Sequence, residues 1–218
     1  ERDARISAAE GDRRKQLIKG LAESNPDLHK EYVESLHAFD AARKFIRESG
    51  QLNLATSGRT NLYSVFAESI VYHLNEKGRA GFIVPTGIAT DDGNKRFFGY
   101  LIEHARLASL FDFQNATAHG RFFPNVHPQY KFTLLTVAGG ALDRPAEFGF
   151  CLSDVLDLND PRRVFELTTT DFKRINPNTK TCPIFRTRQD AALTSKIYSR
   201  VSVLIHESIE QNPWKISF

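Results

Sequence analysis

Apolar residues recur along the chain in two periods, and the switches between them mark the elements. Leu17, Ile18 and Leu21 follow the charged run Arg13-Arg14-Lys15 in a helix-favouring segment, residues 1–24. Asn25-Pro26-Asp27 breaks it and can start the next helix. Leu28, Tyr32, Leu36 and Phe39 then fall at helical spacing, which predicts an amphipathic helix over 27–48 ended by Ser49-Gly50. Residues 50–60 read as a polar loop around Ser57-Gly58. From Thr60, the residues Leu62, Val65, Phe66, Ser69, Ile70, His73 and Leu74 share one helical face, and Gly78 stops that helix.

The period then changes. Ala80-Gly81-Phe82-Ile83-Val84-Pro85 is a short continuous apolar run, which predicts a buried parallel strand. Asp91-Asp92 offers an N-cap region, and Phe97, Phe98, Leu101 and Ile102 carry the following helix. Leu107 to Phe113 reads as a second buried strand. Helix, strand, helix, strand over 60–113 is a piece of a doubly wound α/β sheet. Tyr130–Val137 is β-rich, Gly139-Gly140 reads as a turn, and Glu147–Cys151 as a return strand. The fold class expected is therefore α/β, parallel strands ending in an antiparallel hairpin. Beyond it, the pattern gives a short helix after Ser153, a strand at Val164–Leu167, a turn at Asn176-Pro177-Asn178 and a helix from about Gln189 to Tyr198. Three segments are expected: 1–58, helical; 59–151, the α/β core; 152–218, an exit toward another module.

Composition narrows this little. At 41% hydrophobic and 25% charged, the chain is ordinary for a globular protein. No apolar run is long enough to span a membrane, and the polar, charged start shows no signal peptide. A net charge of +3 permits a polyanionic partner without demanding one. Cys151 and Cys182 form no CxxC and read as free thiols suited to a reducing compartment. The chain has no Met at all, so it is expected to be an excised or processed fragment.

Several segments, in order, resemble one family. Asn61-Leu62-Tyr63-Ser64-Val65-Phe66-Ala67-Glu68 is similar to the helix that follows the catalytic loop of the amino-methyltransferases of type II and type IIG restriction–modification systems. Gly78 to Pro85, continuing through Thr86-Gly87-Ile88-Ala89-Thr90-Asp91-Asp92, resembles their strand and loop behind the target-base pocket. Phe123-Pro124-Asn125-Val126-His127 with Tyr130-Lys131-Phe132 resembles the loop and strand whose aromatic residue stacks on a flipped adenine. Residues 171–189 look like the large Eco57I-like branch. The resemblance implies a Rossmann-like, S-adenosylmethionine-dependent methyltransferase core, whose last strand runs antiparallel. It implies an adenine-N6 DNA methyltransferase with double-stranded DNA as substrate and S-adenosylmethionine as cofactor, working in a prokaryotic cytoplasm at the nucleoid.

The chemistry sets requirements. The exocyclic amine of adenine is a weak nucleophile inside a duplex, so the base must be flipped out, at a cost of a few kcal/mol. Aromatic stacking must hold it, and the amine must be polarised and aligned with the methyl donor. The family polarises it with an (Asn/Asp/Ser)-Pro-Pro-aromatic loop. No such loop occurs here: the Asn-Pro pairs at 25, 176 and 212 lack the second proline, and Asn212-Pro213-Trp214 falls on the wrong side of the Asn61 segment. No glycine-rich cofactor loop follows a strand either. The expectation is a partial core, inactive alone. The upstream part of the catalytic domain and a target-recognition domain would lie in a longer parent.

Each candidate has a plainer reading beside it. Phe123 is the expected stacking residue, against an ordinary core aromatic, and Phe122 is adjacent enough to exchange roles with it. Pro85 and Thr86, at a strand's carboxyl end where α/β ligands lie, line the pocket or form a plain β-to-α turn. Lys131, with Arg121, His119 and His127, meets DNA phosphates or is a solvated loop charge. Phe66 packs on the cofactor adenine or on the helix core, and both can hold, since a cofactor pocket is a gap in a core. Arg13-Arg14-Lys15 reads as a solvated helix face rather than a DNA patch.

Other classes find less support. His119 and His127 lack further ligands at metal spacing. Asp171-Phe172-Lys173 resembles half of a nuclease motif, and its only Pro-Asp partner, Pro26-Asp27, is remote. No G-x-S-x-G suggests a hydrolase. The competing class is a non-catalytic DNA-binding or assembly module with a degenerate methyltransferase fold.

Overall fold

The computed structural model describes residues 3–55, 60–118, 120–207 and 214–215. These divide into two compact units, Glu1–Gln51 and Leu52–Phe218.

The first unit is helical. The charged segment folds as α1 (Ala4–Ala8), α2 (Gly11–Lys19) and α3 (Leu21–Ser24). The Asp3 carboxylate caps α1 by accepting the Arg5 and Ile6 N–H groups. Arg13, Arg14 and Lys15 are exposed, with Lys15 paired to Asp12, as expected of a solvated face. α4 (Pro26–Glu48) matches the amphipathic helix read from the sequence. The Asn25 side chain accepts the Leu28 N–H, and Pro26 sits at the first turn, where its missing N–H costs nothing. Leu21 is buried, while Tyr32, Leu36 and Phe39 of α4 are exposed.

The second unit is built on a five-stranded mixed sheet. It comprises α5 (Leu62–His73), β1 (Arg79–Pro85), α6 (Gly87–Thr90), a 3-10 turn (Asp92–Asn94), α7 (Lys95–Glu103) and β2 (Leu107–Gln114). A two-stranded ribbon of β3 (Ala116–Thr117) and β4 (Gly120–Arg121) follows. Then come β5 (Lys131–Ala138), β6 (Ala146–Leu152), a 3-10 helix (Val155–Asn159), β7 (Phe165–Leu167), α8 (Thr169–Ile175) and α9 (Arg188–Tyr198). The strand order is β1-β5-β2-β6-β7.

This order corrects two expectations. The reading of residues 80–85 as a buried parallel strand fails: β1 is an edge strand, antiparallel to β5. Its burial alternates, leaving Ile83 62% exposed. The expected hairpin of Tyr130–Val137 with Glu147–Cys151 also does not form. Instead β5 runs antiparallel between β1 and β2, and β6 lies parallel to β2 on its other side. β1 and β2 do run in the same direction, as βαβ order predicts, but with β5 inserted between them. β7 extends the sheet antiparallel to β6.

The core is aromatic. β2 is almost wholly buried, and Phe97 and Phe98 of α7 and Phe148 and Phe150 of β6 are at most 1% exposed. Phe172 of α8 meets Phe98 edge-on at 5.7 Å and Phe148 at 5.6 Å, which ties α8 to the sheet. At the other end of the strands from the loops described below, Arg106 donates to the carbonyls of Ala138 and Val71 and to the Tyr100 hydroxyl. One buried guanidinium thus joins α5, α7 and β5. Gly139 turns the chain against Asn75: a Cβ there would overlap the Asn75 carbonyl, so only glycine fits.

Candidate functional site

Three strands end side by side at the carboxyl ends of β1 and β2. Phe132, the second residue of β5, is the cross-strand partner of both Pro85 on β1 and Phe113 on β2. Lys131 pairs with Gln114, and its carbonyl accepts the Thr86 N–H at 3.4 Å. The connection between β2 and β5 folds over these ends and carries two phenylalanines. Phe123 meets Phe132 edge-on at 5.0 Å, and it is 39% exposed. Phe122 meets both Phe132, at 5.4 Å, and Phe113, at 5.7 Å. Phe113 and Phe132 stack at 5.6 Å.

Pro85, Thr86, Phe123 and Lys131 are therefore brought to one end of the sheet, and Phe132 joins them. The two adjacent phenylalanines are not equivalent. Phe122 is wedged against two rings and fixes the loop to the strands, whereas Phe123 leans on one ring only. Lys131 is exposed. Phe66, on α5, is 63% exposed beside Leu62 at 66%, while Val65, Ala67 and Val71 of the same helix are buried. Phe66 is not part of the helix core, and no described ring contact joins it to the Phe132 cluster.

Two buried polar residues, Asp112 on β2 and Asn115 just after it, organise this end and were missed in the sequence. Asp112 is fully buried. It accepts the Thr86 hydroxyl at 2.5 Å through one oxygen and the Cys151 N–H at 3.1 Å through the other. Cys151 has φ of 55° and lies where the β2–β6 register shifts, so a bulge in β6 aims that N–H at the carboxylate. Asn115 is 1% exposed and binds the Phe123 loop from beneath. Its Oδ1 accepts the Phe123 N–H at 2.8 Å, and its Nδ2 donates to the carbonyls of Phe123 at 3.1 Å and Val126 at 3.0 Å. A signal existed for Asp112: a carboxylate inside the run Leu110-Phe111-Asp112-Phe113 must be buried with partners.

The other candidates are held locally. Arg121 donates to the carbonyls of Pro124 and Val126, and the His127 ring accepts the Gln129 N–H. His119 and the Asn212-Pro213 pair lie outside the described residues. The Asp171 carboxylate caps α8 by accepting from the Thr168 hydroxyl and N–H, which accounts for it structurally. Among the described residues, no group of three or more His, Cys, Asp or Glu side chains could hold a metal ion. No described helix is long and apolar enough to cross a membrane. Cys151 and Cys182 are both free thiols, and burial pushes the Cys182 thiol well above its ordinary value.

Glu68, in the helix segment singled out above, is fully buried. Its two oxygens accept the N–H groups of Leu54 and Ala55 at 2.9 and 2.7 Å, fixing the strand of chain that enters α5. Tyr72 lies beside it, and its phenol is pushed up to about 12, first by burial and then by its bond to Glu68.

Comparison with known proteins gives a partial family match and distant structural neighbours. No curated protein matches the sequence. Among solved structures, the chain is similar to the type IIG restriction endonuclease BpuSI, at 15% identity over 50% of this chain and 12% of that one, TM-score 0.37. It is also similar to the methyltransferase subunit of a type I restriction–modification system from Streptococcus thermophilus, at 12% identity over 73% of this chain and 28% of that one, TM-score 0.39. The chain thus spans a minor part of either protein. The family match ends before Phe122 and Phe123 but includes Pro85, Thr86, Phe66, Asp112 and Asn115. Residues 32–118 match the family model of the Eco57I restriction-modification methylases.

Proposed function

We propose that this chain is part of an S-adenosylmethionine-dependent adenine-N6 DNA methyltransferase of a restriction–modification system, and that it supplies the side of the site that grips a flipped base. The observation that carries this reading is the convergence of Pro85, Thr86, Phe123 and Lys131 on Phe132, at the carboxyl ends of two co-directional strands. Ligands of α/β sheets lie at such ends. The placement of β5, antiparallel between β1 and β2, agrees with a partial Rossmann-like methyltransferase core.

In this reading Phe123 stacks on the extruded adenine, because it meets one described ring, Phe132, whereas Phe122, exposed to the same degree (37% against 39%), meets two. Stacking on an aromatic ring contributes about 1–3 kcal/mol per base, which offsets a few kcal/mol of unpairing. Pro85 and Thr86 form the pocket wall behind the base, and Lys131 meets a neighbouring phosphate of double-stranded DNA. The cofactor supplies the methyl group. Phe66 fits as one wall for its adenine, since the ring is presented beside Leu62 on an exposed apolar face of α5. The amine-polarising Pro-Pro loop and the glycine loop are absent from these 218 residues, so activity is assigned to a longer parent, with these residues alone inactive. Residues 1–58, 59–151 and 152–218 would then be the helical segment after the catalytic loop, the C-terminal half of the core and the connection toward target recognition. The parent would work in the prokaryotic cytoplasm at the nucleoid.

The test is direct. The parent protein is incubated with cofactor labelled in the methyl group and unmodified genomic DNA, and the digested DNA is analysed by mass spectrometry. Label in N6-methyladenine is expected. Label on cytosine contradicts the adenine assignment, and no label at all leaves a non-catalytic DNA-binding module in its place.

A further inference from the structure

We propose that Asn115 is a positioning residue for base capture: it holds the loop of residues 116–130 so that the Phe123 ring stands ready over the strand ends. This rests on the reading of Phe123 as the stacking residue and adds a residue that reading does not contain.

The argument begins with what a 16-residue connection between β2 and β5 needs. Long loops carry unpaired backbone groups, and their ends alone do not fix their middles. Here one side chain supplies the missing partners. Asn115 is the first residue after β2, so the sheet sets its position. It is buried and satisfied at both ends of its amide: the oxygen accepts the Phe123 N–H, and the nitrogen donates to the carbonyls of Phe123 and Val126. Its backbone carbonyl accepts the Phe122 N–H, and its backbone N–H donates to Tyr130. Six hydrogen bonds, the longest from Nδ2 to the His127 carbonyl at 3.5 Å, thus lead from one residue to both flanks and the centre of the loop. The Phe123 backbone is gripped from two directions, donor and acceptor, which leaves its side chain as the exposed part. Arg121 holds the Val126 carbonyl from the opposite, exposed side. A base-stacking ring on a loose loop would lose ordering entropy at each encounter; anchoring removes that cost in advance. The amide is specific for this task. A carboxylate keeps the acceptor but sets oxygen against two carbonyls, and a leucine fills the space with no hydrogen bond.

The experiment uses the parent protein in five forms: wild type, Asn115→Leu, Asn115→Asp, Phe123→Ala and the double variant Asn115→Leu/Phe123→Ala. Hydrogen–deuterium exchange over residues 116–130 is measured without DNA, and kcat and KM for methyl transfer are measured on unmodified genomic DNA. Both Asn115 variants are expected to raise exchange in that segment about tenfold or more, with β2 and β5 unchanged. Both should lower kcat/KM by about the factor seen for Phe123→Ala, and the double variant should be no worse than Phe123→Ala alone. Unchanged exchange overturns the proposal, as does raised exchange with wild-type kcat/KM or a double variant whose losses multiply. If Asn115→Leu fails to fold by circular dichroism, the near-isosteric Asn115→Asp decides on the same readouts. A Phe123→Ala protein with wild-type transfer defeats the stacking reading separately, and the exchange data then still show whether Asn115 anchors the loop.

Discussion

Asp112 and Thr86 show how a single buried pair can tie the turn after β1 to a bulge in β6. The carboxylate has two donors and both are needed, since a buried N–H or hydroxyl left without a partner costs about 1–3 kcal/mol. Asp112→Ala should therefore destabilise the fold by about 2–4 kcal/mol, read as a lower denaturation midpoint. Asp112→Asn, which keeps an acceptor at each position only in part, should cost less. Lys131 lies at the opposite extreme, exposed and with its side chain free to reach a phosphate. Lys131→Ala should weaken DNA binding evenly across sequences and reduce the slope of log K against log salt by about one. A slope unchanged by the substitution would make Lys131 a solvated charge. Pro85, Thr86, Phe123 and Lys131 could be picked out together because the segments that contain them run through a strand end and the loop that returns to it. Asn115 and Asp112 could not, because their importance lies in partners 8 to 39 positions away along the chain.

At the scale of elements, the helices declared themselves. Only α7 buries the apolar face its spacing predicts: Leu62, Phe66 and Ile70 of α5 and Tyr32, Leu36 and Phe39 of α4 are exposed, and α5 instead buries Ser64, Val65, Ala67, Glu68 and Val71. Pairing was another matter. β5 and β6 are joined by a short connection that opens on Gly139-Gly140 and look like a hairpin, yet they pair on opposite sides of β2. Local pattern reports which face of a strand is buried and says nothing of which strand lies beside it. β1 misled for a related reason: an unbroken apolar run reads as a strand buried on both faces, whereas its alternate residues, Ile83 among them, are exposed at the sheet edge. The 3-10 helix after β6 carries an acid-sensitive cap. The Asp157 carboxyl is held below its ordinary 3.8, foremost by the Ser153 N–H and further by that of Asp154, against burial that raises it. A carboxyl depressed in the folded state contributes stability above its unfolded value, and loses it as the pH falls through its folded value. The thermal midpoint of the wild type should thus drop more steeply below about pH 4 than that of Asp157→Asn, and parallel curves would remove Asp157 from the acid response.

For the molecule as a whole, the sheet end, the loop and the family match converge on one account. The strands deliver Pro85, Thr86 and Lys131 to a common edge, Phe122 packs on two rings there, and Phe123 packs on one. Residues that carry this geometry lie partly inside the Eco57I-type segment and partly beyond it, so the account extends the family match into the loop. The measurement that tests it most directly is kcat/KM for methyl transfer to unmodified genomic DNA by the parent protein and its Phe123→Ala variant. Loss of one base-stacking contact, worth about 1–3 kcal/mol, predicts a fall of roughly five- to 150-fold, with the fold intact by circular dichroism. Equal kcat/KM in the two proteins would contradict the claim that Phe123 grips the flipped base.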